Sequence, residues 1–229
     1  MNLERLLLVL AALCFSPSLW ATTYVYTGAP YTGVLNFTSP CGAGPCANYV
    51  VGEKIIGQFT TAAPLAPNLT NQNVFPSMTS YSFTDGIDTY SSANPNSRVD
   101  NLVVSTDASG TITAWDVVIM LWQTGTSPHS AGDRLARFNV TSSTPDVTEN
   151  NTPCAIVVTA PSGVPDACVV FTPDASTSFG DASTNGTWSI LQEPIPTLSE
   201  SALFLLSLLV ARFGLRALNA RDGRVSRHA

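Results

Sequence analysis

Between Thr22 and Leu191 apolar and polar residues alternate with a period of two, in short runs separated by Gly, Pro, Asn and Asp. Successive side chains of a strand point to opposite faces, so this pattern predicts strands joined by turns. The clearest runs are Thr22 to Thr27, Tyr49 to Thr60, Thr79 to Thr84, Val99 to Thr106 and Thr111 to Gln123. Leu135 to Val140, Ala155 to Ala160, Cys168 to Thr172 and Thr187 to Leu191 continue the series. No stretch of this region carries a capped 3.6-residue period. The expected fold class is therefore all-β, an antiparallel β-sandwich or jelly-roll-like domain over residues 22–191.

The strongest local feature is a hairpin. The runs Val99 to Thr106 and Thr111 to Ile119 flank Asp107-Ala108-Ser109-Gly110, where the Asp can bond nearby amides and the Gly can take positive φ. Strict alternation puts Ile112, Ala114, Asp116 and Val118 on one face and Thr113, Trp115, Val117 and Ile119 on the other. Ala62 to Leu69, with Pro64 and Pro67, predicts an extended connection. The polar stretch Thr141 to Pro153 predicts a surface loop.

Both ends break this pattern. Arg5 precedes an apolar run from Leu6 to Phe15 that is too short to span a bilayer, and Pro17 and Ser18 end it before the small residue Ala21. Residues 1–21 are expected to be a cleaved signal peptide. At the other end Pro194 and Pro196 sit in a linker, residues 192–197, which also begins the motif discussed below. An apolar segment over 198–218 follows. A helix from Leu198 to Leu215, started by Ser199 and Glu200, would span about 27 Å at the usual rise, against a hydrocarbon core of about 30 Å. It is expected to be a single transmembrane helix. Arg212, Arg216, Arg221, Arg224 and Arg227 set its orientation, with the tail 219–229 cytoplasmic and the β domain outside.

Composition sharpens the picture. From Thr22 to Glu193 the chain has four basic residues (Lys54, Arg98, Arg134, Arg137) against thirteen acidic ones. An acidic surface does not neutralise phosphates, which excludes nucleic acid as a partner. Removing the signal peptide takes Cys14 away and leaves Cys41, Cys46, Cys154 and Cys168. An even count in an exported chain implies disulfides. Three connectivities are possible, of which Cys41 with Cys46 and Cys154 with Cys168 close the smallest loops. No paired C-x-x-C or neighbouring histidine supports a metal site, and no cofactor motif is present.

Catalytic candidates are sparse. His129 lies in Gly125-Thr126-Ser127-Pro128-His129-Ser130 without a G-x-S-x-G string, and is expected to be an exposed loop residue. Asp85-Gly86-Ile87-Asp88 offers too few oxygens for calcium and predicts an ordinary turn. No context singles out a carboxylate pair for hydrolysis, so no catalytic residue is assigned and the chain is expected not to be an enzyme. Trp115, Trp122, Trp188, Tyr81 and Tyr90 are expected in the core; an exposed row of them would instead suit a carbohydrate-binding module for exopolysaccharide.

The C-terminal segment carries a resemblance. Ile195-Pro196-Thr197-Leu198-Ser199-Glu200, followed by an apolar helix and terminal arginines, resembles the IPTL-CTERM sorting signal of Gram-negative bacteria, a relative of PEP-CTERM. The resemblance implies export, anchoring in the inner membrane, and recognition by an exosortase-like membrane enzyme that processes the tail and passes the protein to the cell surface or matrix. Ser201 stands where such signals commonly have tryptophan, and Arg212 interrupts the helix. More loosely, Thr22 to Gly28, Ala63 to Leu69, Ser82 to Gly86 and Ala114 to Asp116 are similar to uncharacterised exported proteins of that class, a likeness that implies no activity.

Overall fold

A computed structural model describes residues 21–38 and 40–191. The chain divides into two compact units, Met1–Leu191 and Gln192–Ala229, and the described residues all belong to the first. The leader expected over 1–21 (save Ala21), the sorting motif, the helix over 198–218 and the tail arginines lie outside them. Among the described residues no helix is long and apolar enough to cross a membrane.

The elements, in order, are β1 (Thr22–Thr27), β2 (Tyr31–Leu35), β3 (Ile56–Thr61), β4 (Gln72–Asn73), β5 (Met78–Thr84), β6 (Thr89–Ser91) and β7 (Ser97–Thr106). Then come β8 (Ile112–Trp122), β9 (Arg134–Thr141), β10 (Val147–Val158), β11 (Ala167–Phe171), β12 (Ser178–Ala182) and β13 (Thr187–Leu191). One 3-10 turn, Phe75–Ser77, precedes β5. Every pairing is antiparallel. Five strands form one sheet in the order β13-β1-β3-β5-β6, and β2-β12-β10-β9-β8-β7-β4 form the other, with β11 attached to β10.

The two sheets face each other across a shared core, which makes the domain a sandwich. Tyr24, Tyr26, Phe59 and Phe83 come from the five-stranded sheet, and Val104, Val117, Ile119, Phe138 and Val140 from the larger one. Ring contacts cross between the layers: Phe83 to Phe138 at 5.2 Å, Tyr90 to Phe138 at 5.0 Å and Tyr26 to Trp115 at 6.2 Å between centroids. Full burial of such a side chain contributes about 1.5–3 kcal/mol. A second cluster lies on the outer side of the larger sheet, where Met120, Trp122 and Leu135 pack against Cys154, Ala160, Ala167 and Cys168.

The hairpin forms as expected. Asp107 Oδ1 accepts bonds from the backbone amides of Ser109 and Thr111, and Gly110 sits at φ +82°. The predicted faces need one correction. The β7–β8 register passes from Thr106↔Ile112 to Ser105↔Ala114, so Thr113 is bulged out and exposed. Ile112 therefore joins Trp115, Val117 and Ile119 in the inter-sheet core, where strict alternation had separated them.

Two further readings are corrected. The run from Tyr49 becomes strand only at Ile56, because Val50 to Glu53 turn the chain and only Tyr49 and Ile55 stay buried. The supposed loop Thr141 to Pro153 is largely strand: Thr141 closes β9 and Val147 opens β10. Thr148, Glu149, Asn150, Asn151 and Thr152 are all buried. β2, β4, β6 and β12 were not anticipated either.

Candidate functional site

The four cysteines pair as Cys41–Cys46 and Cys154–Cys168, with Cα atoms 6.0 and 5.8 Å apart. The first closes an exposed loop that leans on Asn151, whose amide donates to Ala43 O (2.7 Å) and lies 3.1 Å from Cys46 Sγ. Asn151 takes φ +60°, a conformation that asparagine tolerates better than most residues. Its backbone and side-chain oxygens accept from buried Arg134, whose guanidinium also forms a two-point pair with Asp174. The second disulfide staples β10 to β11 inside the outer cluster. Among the described residues no group of three or more His, Cys, Asp or Glu side chains is placed to hold a metal ion.

His129 is buried, not exposed. Its ring stacks on Trp122 with centroids 4.4 Å apart and planes at 4°. Its Nδ1 lies 2.8 Å from Asp166 Oδ2, and its backbone amide donates to Asp166 Oδ1 at 2.6 Å. Ser127 Oγ and Arg98 also donate to Asp166, each at 3.1 Å, while the Asp166 carbonyl accepts from Trp122 Nε1. Burial works to raise the Asp166 carboxyl, yet the donors from His129 and Ser127 win and hold it below the ordinary carboxylate range. Ser127, Arg98 and Asp166 border a cleft of about 440 Å³ that Met78, Tyr81 and Val164 also line.

This arrangement has the composition of a hydrolytic triad without its wiring. A triad passes the serine proton to histidine, with the carboxylate on the far imidazole nitrogen. Here serine and histidine both turn to the same carboxylate, and His129 Nε2 is buried with no partner among the described residues. The hydroxyl donates to the carboxylate and not to the imidazole.

A second acid cluster lies between the sheets. Asp85 Oδ1 accepts from the amides of Ile87 and Asp88, closing the expected turn. Its Oδ2 accepts from Tyr90 (2.8 Å), Tyr49 (2.9 Å) and Thr148 (2.7 Å), and its carbonyl accepts from Tyr31 (2.8 Å). Desolvation, reinforced by the Asp85 charge, raises the phenols of Tyr49 and Tyr90 well above their usual range. Asp88 is pushed up to about 6 by burial and then by the Asp85 charge, although Asn150 and Gln123 donate to it. The two carboxyls thus converge, but neither lines the cleft beside Arg98. Sequence reasoning found the turn and missed the tyrosines, which come from three separate segments.

The aromatic residues are core. Trp122 is 2% exposed, and Trp115 and Trp188 pack half-buried against the inter-sheet cluster; Tyr81 and Tyr90 are buried. These residues form no exposed row, which removes the aromatic platform that a stacking carbohydrate module would need. What lies open on the five-stranded sheet is polar. The register aligns Thr23 with Thr60 and Thr60 with Ser80; two residues along, Val25, Gln58 and Ser82 align. Over this face runs a trench of about 610 Å³, bordered by Val25, Ile56, Gln58, Ser82 and Thr84, with Lys54 at one end.

Residues 193–221 match the model of the IPTL-CTERM motif. That span holds Ile195 to Glu200 as well as Arg212, Arg216 and Arg221, so the C-terminal segment is a sorting signal and the chain an exported protein associated with the cell surface. No curated protein and no solved structure matches the chain.

Proposed function

We propose that the chain is a non-enzymatic surface or extracellular-matrix protein whose β-sandwich is the cargo of its own tail. The observation that carries this reading is the IPTL-CTERM match at 193–221, directly behind a β domain closed by two disulfides. Disulfides of this kind belong to oxidising compartments. In this reading residues 198–218 hold the protein in the inner membrane with the arginines inside, and an exosortase-like enzyme recognises Ile195 to Glu200 and processes the tail. Two features support a role without catalysis: the Ser127 hydroxyl donates to Asp166 and not to the His129 ring, and Asp85 is saturated by donors.

The test is fractionation of the producing cell with intact-mass analysis of the mature protein, comparing wild type with a Pro196→Ala, Thr197→Ala variant. The wild type is expected at the surface or outside, lacking the tail, and the variant held in the inner membrane at its unprocessed mass. Identical mass and location in the two would overturn the sorting reading.

A further inference from the structure

We propose that the outer face of the five-stranded sheet binds an uncharged polysaccharide chain. This deepens the reading of the domain as surface cargo and rests on it.

The first observation is the segregation of charge. β1, β3, β5, β6 and β13 contain no Asp, Glu, Lys, Arg or His, whereas the larger sheet carries Arg98, Asp100, Asp116, Arg134, Arg137, Glu149 and Asp181. The described domain holds twelve carboxylates and four basic side chains. An anionic polymer is repelled by such a domain, and the five strands of this face offer no cation to hold one, Lys54 standing only at one end of the trench.

The second observation is what replaces the charges. Hydroxyls dominate the outward positions, from Thr23, Thr60 and Ser80 in one row to Thr27, Thr84 and Thr89 two rows along. Neighbours within a row, on adjacent strands, lie about 4.8 Å apart, and successive rows along a strand about 6.8 Å. Gln58 and Ser82, at the centre, are exposed and make no side-chain hydrogen bond among the described residues. Donors and acceptors at this spacing match the alternating hydroxyls of a neutral glycan.

The third is shape. The trench along Val25, Ile56, Gln58 and Ser82 is a furrow that a chain can lie in. A second copy docking face to face would set furrow against furrow. It would also find little apolar surface, since Val25, Ile56 and Leu191 are the aliphatic residues on this side, whereas dimer interfaces need a largely apolar centre. Each neutral hydrogen bond contributes about 0.5–1.5 kcal/mol net, so single sites are weak and repeated engagement along a polymer supplies the affinity.

The experiment uses the full chain in mild detergent, run by native electrophoresis through gels containing dextran, β-1,3-glucan or galactomannan, with alginate as the anionic comparison. Retardation by at least one neutral polymer, unchanged by salt, and none by alginate is expected. Gln58→Glu with Ser82→Asp should weaken it by about tenfold or more, with an unchanged melting temperature. Thr113→Asp on the opposite sheet should leave it intact. No retardation by any neutral polymer, retardation by alginate alone, or indifference to the double substitution overturns the proposal. So does a dimer in sedimentation that the double substitution dissociates. Because binding is measured on purified protein, its failure leaves the sorting reading standing, and unchanged sorting in the Pro196, Thr197 variant leaves a positive binding result standing.

Discussion

At the scale of single residues, the domain depends on buried carboxylates whose partners are hydroxyls and amides more often than cations. Asp85 is the extreme case: fully buried, it accepts two backbone amides, two phenols and one threonine hydroxyl. Truncation to alanine would leave the Tyr90 hydroxyl buried without an acceptor, while Thr148 keeps the Arg137 carbonyl and Tyr49 keeps Thr148 Oγ1, and an orphaned group of this kind costs about 1–3 kcal/mol. With the two turn bonds to Ile87 and Asp88 also lost, Asp85→Ala is expected to lose about 2–3 kcal/mol of unfolding free energy, and Asp85→Asn clearly less because one acceptor oxygen remains. Urea unfolding followed by tyrosine fluorescence checks this, and a loss below about 1 kcal/mol in the alanine variant would show that the cluster is not cooperative. The turn around Gly86 was legible from Asp85 and Asp88, since turn chemistry is local. The cluster was not, because Tyr31, Tyr49, Tyr90 and Thr148 meet only through the sheet pairing.

At the scale of elements, the sequence spoke clearly where strands are half apolar and misled where they are polar. β1, β7 and β9 alternate aliphatic or aromatic with polar residues and fall within a few residues of their expected spans. The first half of β10 reads Val-Thr-Glu-Asn-Asn-Thr, yet these residues are mostly buried, because Arg134, Arg137, Asp88 and Gln123 bond most of their polar groups. A pattern that equates polar with exposed cannot find such a strand. The second half of β10 is held differently, by Cys154 to Cys168, with both residues at most 1% exposed. Closing a loop of this size stabilises by about 3 kcal/mol in the chain-entropy account, against about 2 for the shorter Cys41–Cys46 loop. Replacing Cys154 and Cys168 by serine should cost at least that much, since two hydroxyls then enter an apolar cluster. Amide exchange should accelerate selectively over β11, while Cys41→Ser with Cys46→Ser leaves β11 protected. Equal exchange in the two variants would refute this division of labour.

At the scale of the whole molecule, the acids sort into two groups with opposite consequences for pH. Asp88 is raised to about 6 and Asp146 is raised as well, both chiefly by desolvation. Asp174 is lowered to about 2 by the Arg134 hydrogen bond, and Asp166 is also lowered. An unfolded aspartate titrates near 4. For the raised group the unfolded state loses its proton first as pH rises, so stability falls between about 4 and 6 and is flat above. For the lowered group, stability present above about 4 is lost as pH falls toward 2. For these four groups the two slopes meet near pH 4, so their combined contribution is expected to be larger there than at neutrality. Asp174 is largely exposed, so the acid limb is shallow. Asp88→Asn keeps an oxygen for Asn150 and Gln123 and removes the charge beside Asp85. It should stabilise the domain by about 2 kcal/mol at neutral pH and leave it unchanged near pH 4, which flattens the fall in stability as pH rises between those values. Urea midpoints measured across that range in wild type and variant check the sign; a gain that is equal at both ends would mean that Asp88 acts through packing and not through its charge.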